Sequence, residues 1–296
     1  MEASGGNLGI IGASGFIGGV LTDHAVTRGW SVVGFSRRAQ DPDGSVSEWR
    51  QWSDRPDVSG LDALVNLAGE SIAQRWSEKN RVLFRESRVG VTEILARAIS
   101  ESDRGPGVLV NGSAVGIYGD RGDERLSERA NGGGGYLAEL CADWEHAALP
   151  LRQRGVVVSL LRTGIVLGRG GEAWERMRKV FSLGLGGRFG SGRQWMPWIH
   201  VDDLAGAILH AVENSLDGPL NGVAPEPERN EDFTRKLAQA LNRPAFFHAP
   251  GWGLKLGLGE FGGALLASQR AVPEVLLESG YRFRFPTLDS ALAELC

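Results

Sequence analysis

Three glycines near the start of the chain have the spacing of a phosphate-binding turn. Gly12, Gly15 and Gly18 follow the apolar run 8–11 and open a stretch with apolar residues at helical spacing. A helix that begins directly after a strand and a glycine turn points its free N–H groups, and the positive end of its dipole, at one spot. Glycines there permit the tight turn, the close approach of a phosphate, and close packing of helix on strand. The pattern predicts a pyrophosphate site; because the chain has 43 glycines, a purely structural strand–turn–helix is the alternative.

The end of the second apolar run carries groups that suit a further phosphate. Ser36, Arg37 and Arg38 follow the run 31–35, about 20 residues after the glycines. In dinucleotide-binding parallel sheets, the residue at this position contacts the adenosine ribose. An acid at this point favours a free 2′-hydroxyl, but none occurs before Asp41. A hydroxyl and two guanidinium groups suit a 2′-phosphate, so the sequence favours NADP(H) over NAD(H). Two solvated surface arginines are the alternative.

Other ionisable side chains stand where chemistry would be possible. Glu70 follows the predicted strand 63–67, at the edge where open α/β sheets bind ligands. A partly desolvated Glu70 would serve as a base, or it would only cap or pair with a cation. His200 is expected to pack in the core, and Asp202 and Asp203 to cap the next helix. No third ligand stands at suitable spacing, so no metal site is predicted.

The elements that position these residues alternate through the first half of the chain. Short runs that are apolar on both faces predict buried parallel strands; they lie at 8–11, 31–35, 63–67, 108–112 and 156–161. Apolar residues at helical spacing predict helices over 76–100 and 136–152. This alternation predicts an α/β fold with a doubly wound parallel sheet.

The second half is richer in glycine, with further helices expected and an edge strand at 219–223. The helices are expected over 173–181, 202–213, 230–241 and 288–295. We expect a nucleotide-binding domain of residues 1–163 plus about 196–225. A smaller C-terminal substrate lobe of about 164–195 and 226–296 would pack on it.

Composition excludes several classes of protein. The 296 residues are 42% hydrophobic and 23% charged, with a net charge of −4 that offers no general attraction to nucleic acid or to an anionic membrane. The two cysteines, Cys141 and Cys296, make neither a disulfide framework nor a metal-binding pair. No apolar run approaches the roughly 20 residues of a membrane span, and the first residues lack the pattern of a signal peptide. We expect a cytoplasmic protein with a small-molecule substrate.

These motifs, together with residues 66–70, resemble the short-chain dehydrogenase/reductase superfamily. Residues 199–204 and 220–224 resemble the signatures of its extended, epimerase-like branch. More narrowly, the chain resembles a poorly characterised group of epimerase-family proteins once labelled cell-division-inhibitor-like. The segments that carry this narrower resemblance are 66–70, 86–88, 161–168, 183–187, 190–194 and 268–273.

The resemblance implies a Rossmann-type sheet that binds NADP(H) across the carboxyl ends of its strands. It places the loop 67–69 under the adenine ribose and the nicotinamide half. The predicted cofactor-binding residues are Gly12, Ser14, Gly15, Phe16, Ile17, Gly18, Ser36, Arg37, Arg38, Leu67, Ala68 and Gly69. In relatives the helices at 76–100 and 136–152 often pair between subunits, which leaves a homodimer as an open alternative.

The resemblance also implies a catalytic tyrosine, with a lysine four residues later that lowers its pKa and a serine that orients the substrate oxygen. None of the three tyrosines, Tyr118, Tyr136 and Tyr281, has a lysine at that spacing. Tyr136 lies at the expected interval after Ser113, and Leu140 stands where the lysine would be. We therefore predict Tyr136 and Ser113 as catalytic residues, with the pKa of Tyr136 near its free value of about 10 unless another cation approaches. A half-buried aromatic and a plain loop serine are the alternatives.

The predicted substrate side departs from the nucleotide-sugar enzymes of this branch. Those enzymes place an arginine just before the 199–204 signature to bind a diphosphate, and this chain has Met196 there. A thioether cannot pair with phosphate. Trp195, Trp198 and Arg193 are predicted to line the site with Met196, which favours a smaller, flatter or more apolar ligand. A tryptophan-rich lobe core is the alternative.

Three functions remain open at this point. The first is an NADP(H)-dependent oxidoreductase for a small carbonyl, alcohol or activated alkene, with Tyr136, Ser113 and Glu70 as its catalytic residues. Because the Tyr–Lys pair is incomplete, the second is a non-catalytic NADP(H)-binding or redox-sensing protein. A nucleotide-sugar epimerase is the third, and Met196 disfavours it.

Overall fold

The computed structural model describes residues 5–38 and 44–296, so Asp41 lies outside the described residues. Strands and helices are numbered here in chain order. Seven strands form one parallel sheet: β1 (Asn7–Ile11), β2 (Ser31–Ser36), β3 (Glu48–Gln51), β4 (Ala63–Asn66), β5 (Val108–Ala114), β7 (Val157–Thr163) and β12 (Gly218–Gly222). Their order across the sheet is β12-β7-β5-β4-β1-β2-β3.

Eight shorter strands pair two by two outside this sheet. They are β6 (Arg125–Leu126), β8 (Ile165–Leu167), β9 (Gly187–Phe189), β10 (Trp195–Met196), β11 (Trp198–His200), β13 (Glu228–Arg229), β14 (Phe247–Ala249) and β15 (Arg270–Ala271). The pairs are β10 with β13, β11 with β8, β14 with β9 and β15 with β6.

Eleven α-helices connect the strands in the described ranges. The first six are α1 (Phe16–Thr27), α2 (Glu78–Arg85), α3 (Val91–Glu101), α4 (Tyr136–Ala148), α5 (Glu172–Ser182) and α6 (Val201–Glu213). The others are α7 (Asn230–Ala240), α8 (Gly251–Leu258), α9 (Glu260–Ala264), α10 (Glu274–Glu278) and α11 (Leu288–Leu295). A π-helical turn, Glu86–Gly90, joins α2 to α3, and two 3₁₀ segments are Val115–Tyr118 and Leu149–Arg154.

The sheet is buried on both faces, as its apolar strands predict. Neighbouring residues of one strand belong to opposite layers: Ile10 packs with α1 and α6, whereas Ile11 packs with α3. Val32 and Val33 divide in the same way. This alternation follows from the period of two along a strand. The predicted α/β class and doubly wound parallel sheet are confirmed, and the predicted edge strand is β12.

The order of the strands creates one crevice. From β1 the chain moves outward to β2 and β3, and then crosses to β4 on the other side of β1. The connections that leave the carboxyl ends of β1 and β4 therefore run in opposite directions, and open α/β sheets bind ligands at such a switch point. Both the glycine turn and the loop 67–70 begin there.

A third apolar cluster forms the core of the C-terminal part. Trp174 from α5, Phe233 from α7 and Leu292 from α11 are buried in it. Asp203 anchors the tail to the sheet layer, because its carboxylate accepts hydrogen bonds from the N–H groups of Arg284 at 2.7 Å and Phe285 at 2.8 Å. The domain boundaries proposed above stay a prediction.

Two local expectations need correction. The strand β3 was not predicted, and Asp202 and Asp203 do not cap α6. The helix begins at Val201, and the His200 side chain accepts the N–H of Asp202 at 3.2 Å instead. No helix in the described ranges has the length and apolar character needed to cross a lipid bilayer.

Candidate functional site

The glycine turn has the close contacts that its spacing predicts. Gly12 has a φ of +87°, in the left-handed region that favours glycine. A Cβ at Gly18 would lie 2.0 Å from the carbonyl oxygen of Gly12. The N–H of Gly15 donates to that same oxygen at 2.9 Å. Side chains at Gly12 and Gly18 would therefore strain or displace the turn.

The start of α1 offers unused hydrogen-bond donors. The first helical bond runs from the N–H of Gly19 to the carbonyl of Gly15 at 2.8 Å, so the N–H groups of Phe16, Ile17 and Gly18 have no acceptor within the helix. No described side chain caps this end, and Ser14 and Gly15 are exposed. This arrangement fits a pyrophosphate. The Phe16 side chain itself packs against the 168–171 loop.

The loop after β4 forms the other side of the crevice. The N–H of Leu67 donates to the carbonyl of Ile11 at 3.0 Å, beside Gly12. Asn66 is fully buried; its side chain accepts the N–H of Ala68 at 3.1 Å and donates to Asn111 at 2.8 Å. The path of residues 67–69 is thus fixed at the edge of the sheet.

Side chains of the π-helical turn form hydrogen bonds with the backbone of this loop. Arg88 donates through Nη2 to the carbonyl of Glu70 at 2.9 Å, and Ser87 Oγ accepts the N–H of Glu70 at 3.0 Å. The Arg88 guanidinium lies 5.2 Å from the ring of Trp144, and burial lowers its pKa. Our sequence interpretation used residues 86–88 only as part of the family resemblance and gave Arg88 no role of its own. Turns of this kind are frequent at functional sites.

The glutamate on this loop is exposed rather than partly buried. Only the backbone of Glu70 is engaged by Ser87 and Arg88. The structure therefore does not show the partial desolvation under which Glu70 was expected to serve as a base, because the residue is exposed. Its role as a base stays a prediction.

At the end of β2, Ser36 Oγ accepts the N–H of Arg38 at 3.2 Å. Arg37 and Arg38 are exposed. Because β1 and β2 are neighbours in the sheet, this turn lies beside the glycine turn. The geometry is compatible with both a phosphate site and solvated arginines.

Tyr136 is the first residue of α4 and lines a cavity of about 560 Å³. Trp76, Lys255, Gly259, Glu260 and Gly263 form its other walls. The Tyr136 hydroxyl donates to the carbonyl of Arg81 at 3.4 Å, and the Arg81 guanidinium lies 4.3 Å from the Tyr136 ring.

The environment of Tyr136 changes one expectation. Burial raises the pKa of its hydroxyl, although the cations Arg81 and Arg88 act in the opposite direction. The expected pKa near the free value is therefore wrong: cations do approach, but desolvation outweighs them. Tyr136 remains a neutral proton donor over an even wider pH range.

Ser113 belongs to a buried polar network and does not line the Tyr136 cavity in the described part of the chain. Its side chain is buried and donates to Glu145 Oε1 at 2.7 Å. Arg162 binds both oxygens of Glu145, at 2.8 Å and 2.9 Å, and donates to the hydroxyl of Tyr118 at 3.0 Å. Tyr118 in turn donates to Asn221 at 2.8 Å. The catalytic role of Ser113 stays a prediction, and its contacts favour a structural role.

Comparisons with known proteins agree with this geometry. The profile of the NAD dependent epimerase/dehydratase family matches residues 8–223, and that of a domain of unknown function, DUF1731, matches residues 249–295. The chain belongs to the NAD dependent epimerase/dehydratase family.

Three proteins with similar sequences or structures indicate which group within the family this chain resembles. Epimerase family protein Mb2239 of Mycobacterium bovis is 40% identical over 292 residues, covering 96% of this chain and 95% of the relative. The crystal structure of human epimerase family protein SDR39U1, solved with NADPH, is 35% identical with a TM-score of 0.89 and 98% coverage of both chains. A nucleoside-diphosphate sugar epimerase from Corynebacterium glutamicum is 34% identical with a TM-score of 0.80, over 99% of this chain and 58% of that one.

The four predicted substrate residues of this family member do not face one site. Trp198 is only 1% exposed and packs in the core of the C-terminal part, where its Nε1 donates to the carbonyl of Glu226 at 3.2 Å. Its prediction as a substrate residue is corrected, because the lobe-core alternative describes its contacts. The Met196 sulfur accepts a hydrogen bond from Asn230 at 3.0 Å.

Trp195 and Arg193 lie on the more open side. Trp195 is half-buried and its Nε1 donates to Asp123 at 2.9 Å, while Arg193 is exposed. His200 packs 4.1 Å from the Phe285 ring, as a core histidine should. No group of three or more His, Cys, Asp or Glu in the described ranges could hold a metal ion.

The Gly18 contact can be tested by adding one methyl group. Gly18→Ala places its Cβ against a backbone oxygen, so we expect a loss of about 1–3 kcal/mol in the free energy of unfolding. Gly19→Ala is the matched control, because nothing lies within 4 Å of its Cβ; it should stabilise the helix by up to about 1 kcal/mol. Urea denaturation measures both. Equal effects of the two substitutions would contradict the assigned contact.

The Glu145–Arg162 pair can be tested against an exposed pair on the same helix. Glu145→Gln leaves a buried guanidinium without its anion, and we expect a loss of about 3–5 kcal/mol. Asp143→Asn breaks an ion pair with Arg85 whose side chains are half-exposed, so its cost should stay below about 1 kcal/mol. Chemical denaturation compares the two, and a similar small loss in both would show that the buried network is not structural.

Proposed function

We propose that this chain is an NADP(H)-dependent oxidoreductase that acts on a small carbonyl, alcohol or activated alkene. The glycine turn at the switch point carries the proposal, since its close backbone contacts and free helix N–H groups fit a dinucleotide pyrophosphate. The human relative solved with NADPH supports the choice of cofactor.

Residues at three strand ends would hold the cofactor. The N–H groups at the start of α1 would bind the pyrophosphate, and Ser36, Arg37 and Arg38 the 2′-phosphate. The loop 67–69, fixed by Asn66 and Arg88, would support the nicotinamide half. Bound there, NADPH would supply a hydride for reduction of the substrate.

Tyr136 would supply the proton. Tyr136 begins α4 beside a cavity large enough for a small molecule, and its hydroxyl is protonated at neutral pH because its pKa, raised by burial, lies above the ordinary value. With Leu140 where a lysine would stand, the phenolate is disfavoured. Proton donation during reduction is therefore better supported than proton removal during oxidation.

The 2′-phosphate assignment predicts a cofactor-selective loss of affinity. Replacing both Arg37 and Arg38 by alanine removes two charge-assisted hydrogen bonds, so the dissociation constant for NADPH should rise at least 10-fold. The dissociation constant for NADH should change less than about twofold, because NADH has no 2′-phosphate. Isothermal titration calorimetry measures both. An unchanged NADPH affinity would show that these are solvated surface arginines.

The proton-donor assignment predicts a specific kinetic defect. Tyr136→Phe should lower kcat for NADPH-dependent reduction at least about 100-fold and leave NADPH affinity unchanged. The acid form of Tyr136 is the active one and its pKa lies above the ordinary value, so the wild-type rate should stay constant through neutral pH and fall only above about pH 10. Loss of NADPH absorbance with a panel of carbonyl compounds measures this. Full activity of Tyr136→Phe would contradict the assignment.

A non-catalytic NADP(H)-binding or redox-sensing protein is the second candidate. It is favoured by the Ser113 hydroxyl, which is engaged by Glu145 away from the Tyr136 cavity. This reading expects tight NADPH binding with no turnover across the same carbonyl panel. Epimerisation of a nucleotide sugar has less support, because Met196 offers no charge to a diphosphate. A cytoplasmic location and a homodimer remain proposals.

A further inference from the structure

Arg270 carries a guanidinium group without an anion. Its Nε is buried and has no hydrogen-bond partner, and within the described residues the group makes no ion pair. Its guanidinium carbon lies 4.8 Å from the centroid of the Trp195 ring. A buried donor left without an acceptor is costly, and in native proteins it calls for an explanation.

A second guanidinium lies against the same ring. The Arg229 carbon is 4.5 Å from the Trp195 centroid, and its Nη2 donates to Asp123 Oδ1 at 2.8 Å. Trp195 is held firmly, since its Nε1 donates to Asp123 and its backbone N–H donates to Ser268 Oγ at 3.1 Å. The Trp195 indole is thus held in place, with two guanidinium groups against its ring.

The charges around this ring do not balance. Arg229 and Arg270 lie against the ring, and Asp123 accepts bonds from Trp195 and Arg229 and also interacts with the exposed Arg193. Two ion pairs lie nearby, Arg121 with Glu124 and Arg125 with Glu274. Asp120 accepts the N–H of Ser268, two residues before Arg270, at 3.1 Å, but no described carboxylate forms an ion pair with Arg270.

The cluster lies at the carboxyl edge of the sheet. Arg270 pairs in register with Arg125 on β6, which follows the end of β5 by way of the 3₁₀ segment 115–118. Its neighbour Ala271 packs in one apolar cluster with Cys141, a residue of the helix that begins with Tyr136. Arg270 is thus tied to the element that carries the proposed proton donor.

We propose that Arg270, assisted by Arg229, binds an oxyanion group of the substrate, so that the substrate is a small carboxylate or phosphate ester. A guanidinium presents N–H donors in a planar fork that matches carboxylate and phosphate oxygens. Trp195 holds both forks in place. This inference rests on the proposed function for its link to turnover, but anion binding itself requires neither NADPH nor turnover.

The test measures anion binding to the full-length protein without NADPH. Inorganic phosphate, pyruvate and the neutral ketone acetone are titrated separately by calorimetry. Wild type should bind phosphate or pyruvate saturably and acetone not at all. Arg270→Gln should weaken binding at least 10-fold, and Arg270→Lys, which keeps the charge but loses the fork, should fall between them.

Arg125→Gln is the matched control, because Arg125 is the register partner of Arg270 and already has Glu274 as its anion. It should bind the anions as wild type does. Stronger binding of pyruvate assigns a carboxylate substrate, and stronger binding of phosphate assigns a phosphate ester. Absence of anion binding, or equal binding by Arg270→Gln, would overturn the proposal.

Thermal unfolding separates ligand binding from a structural role. Replacement of an arginine that only supports the fold should lower Tm. Arg270→Gln should instead leave Tm unchanged or raise it. The substitution should also abolish the increase in Tm that the bound anion gives to wild type. A lowered Tm with an undiminished response to the anion would also overturn the proposal. Because no cofactor is added, failure of NADPH binding in a separate titration remains distinguishable from failure here.

Discussion

The close approach of α1 to the end of β1 is the constraint on which the candidate site depends. The backbone of Gly18 meets the carbonyl of Gly12 with no room for a side chain, and this contact directs the start of the helix across the crevice. The same turn lies against Leu67, whose N–H donates to the last residue of β1. The two loops that face each other at the switch point are therefore positioned by backbone contacts.

Charged groups beneath this edge fall into two kinds. Arg162 is buried and Arg88 half-buried, and both donate to internal acceptors: Arg88 to the carbonyl of Glu70, and Arg162 to both oxygens of Glu145. Their hydrogen bonds offset the cost of desolvation, and they fix loops and strands. Arg270 differs because its buried Nε has no partner. This difference within one structure is the reason why we propose a ligand-binding role for Arg270 and a structural role for the other two.

The fold could be predicted from the sequence because the signals were local. The central sheet strands are short, nearly continuous apolar runs, and such runs are typical of parallel strands that are buried on both faces. Strand β3 was missed because three of its four residues, all but Trp49, are polar or charged and the strand is partly exposed at the edge of the sheet. The cap of α6 was misplaced because the helix begins one residue earlier than expected, which puts His200 at the capping position. The partners of the site residues were beyond reach, since Glu145 meets Ser113 across 32 positions of the chain and no spacing rule encodes that contact.

The C-terminal segment 249–295 completes the site rather than forming a separate unit. It supplies Lys255, Glu260 and Gly263 to the wall of the Tyr136 cavity, and it also supplies Arg270 beside Trp195. Strand β15 joins it to β6, and Asp203 fixes its later part to α6. The nucleotide-binding turn comes from the first residues of the chain, so the groups that would hold a cofactor and those that would select a substrate come from opposite ends of the sequence. A change of substrate could then arise in the C-terminal segment while the glycine turn and its helix stay the same.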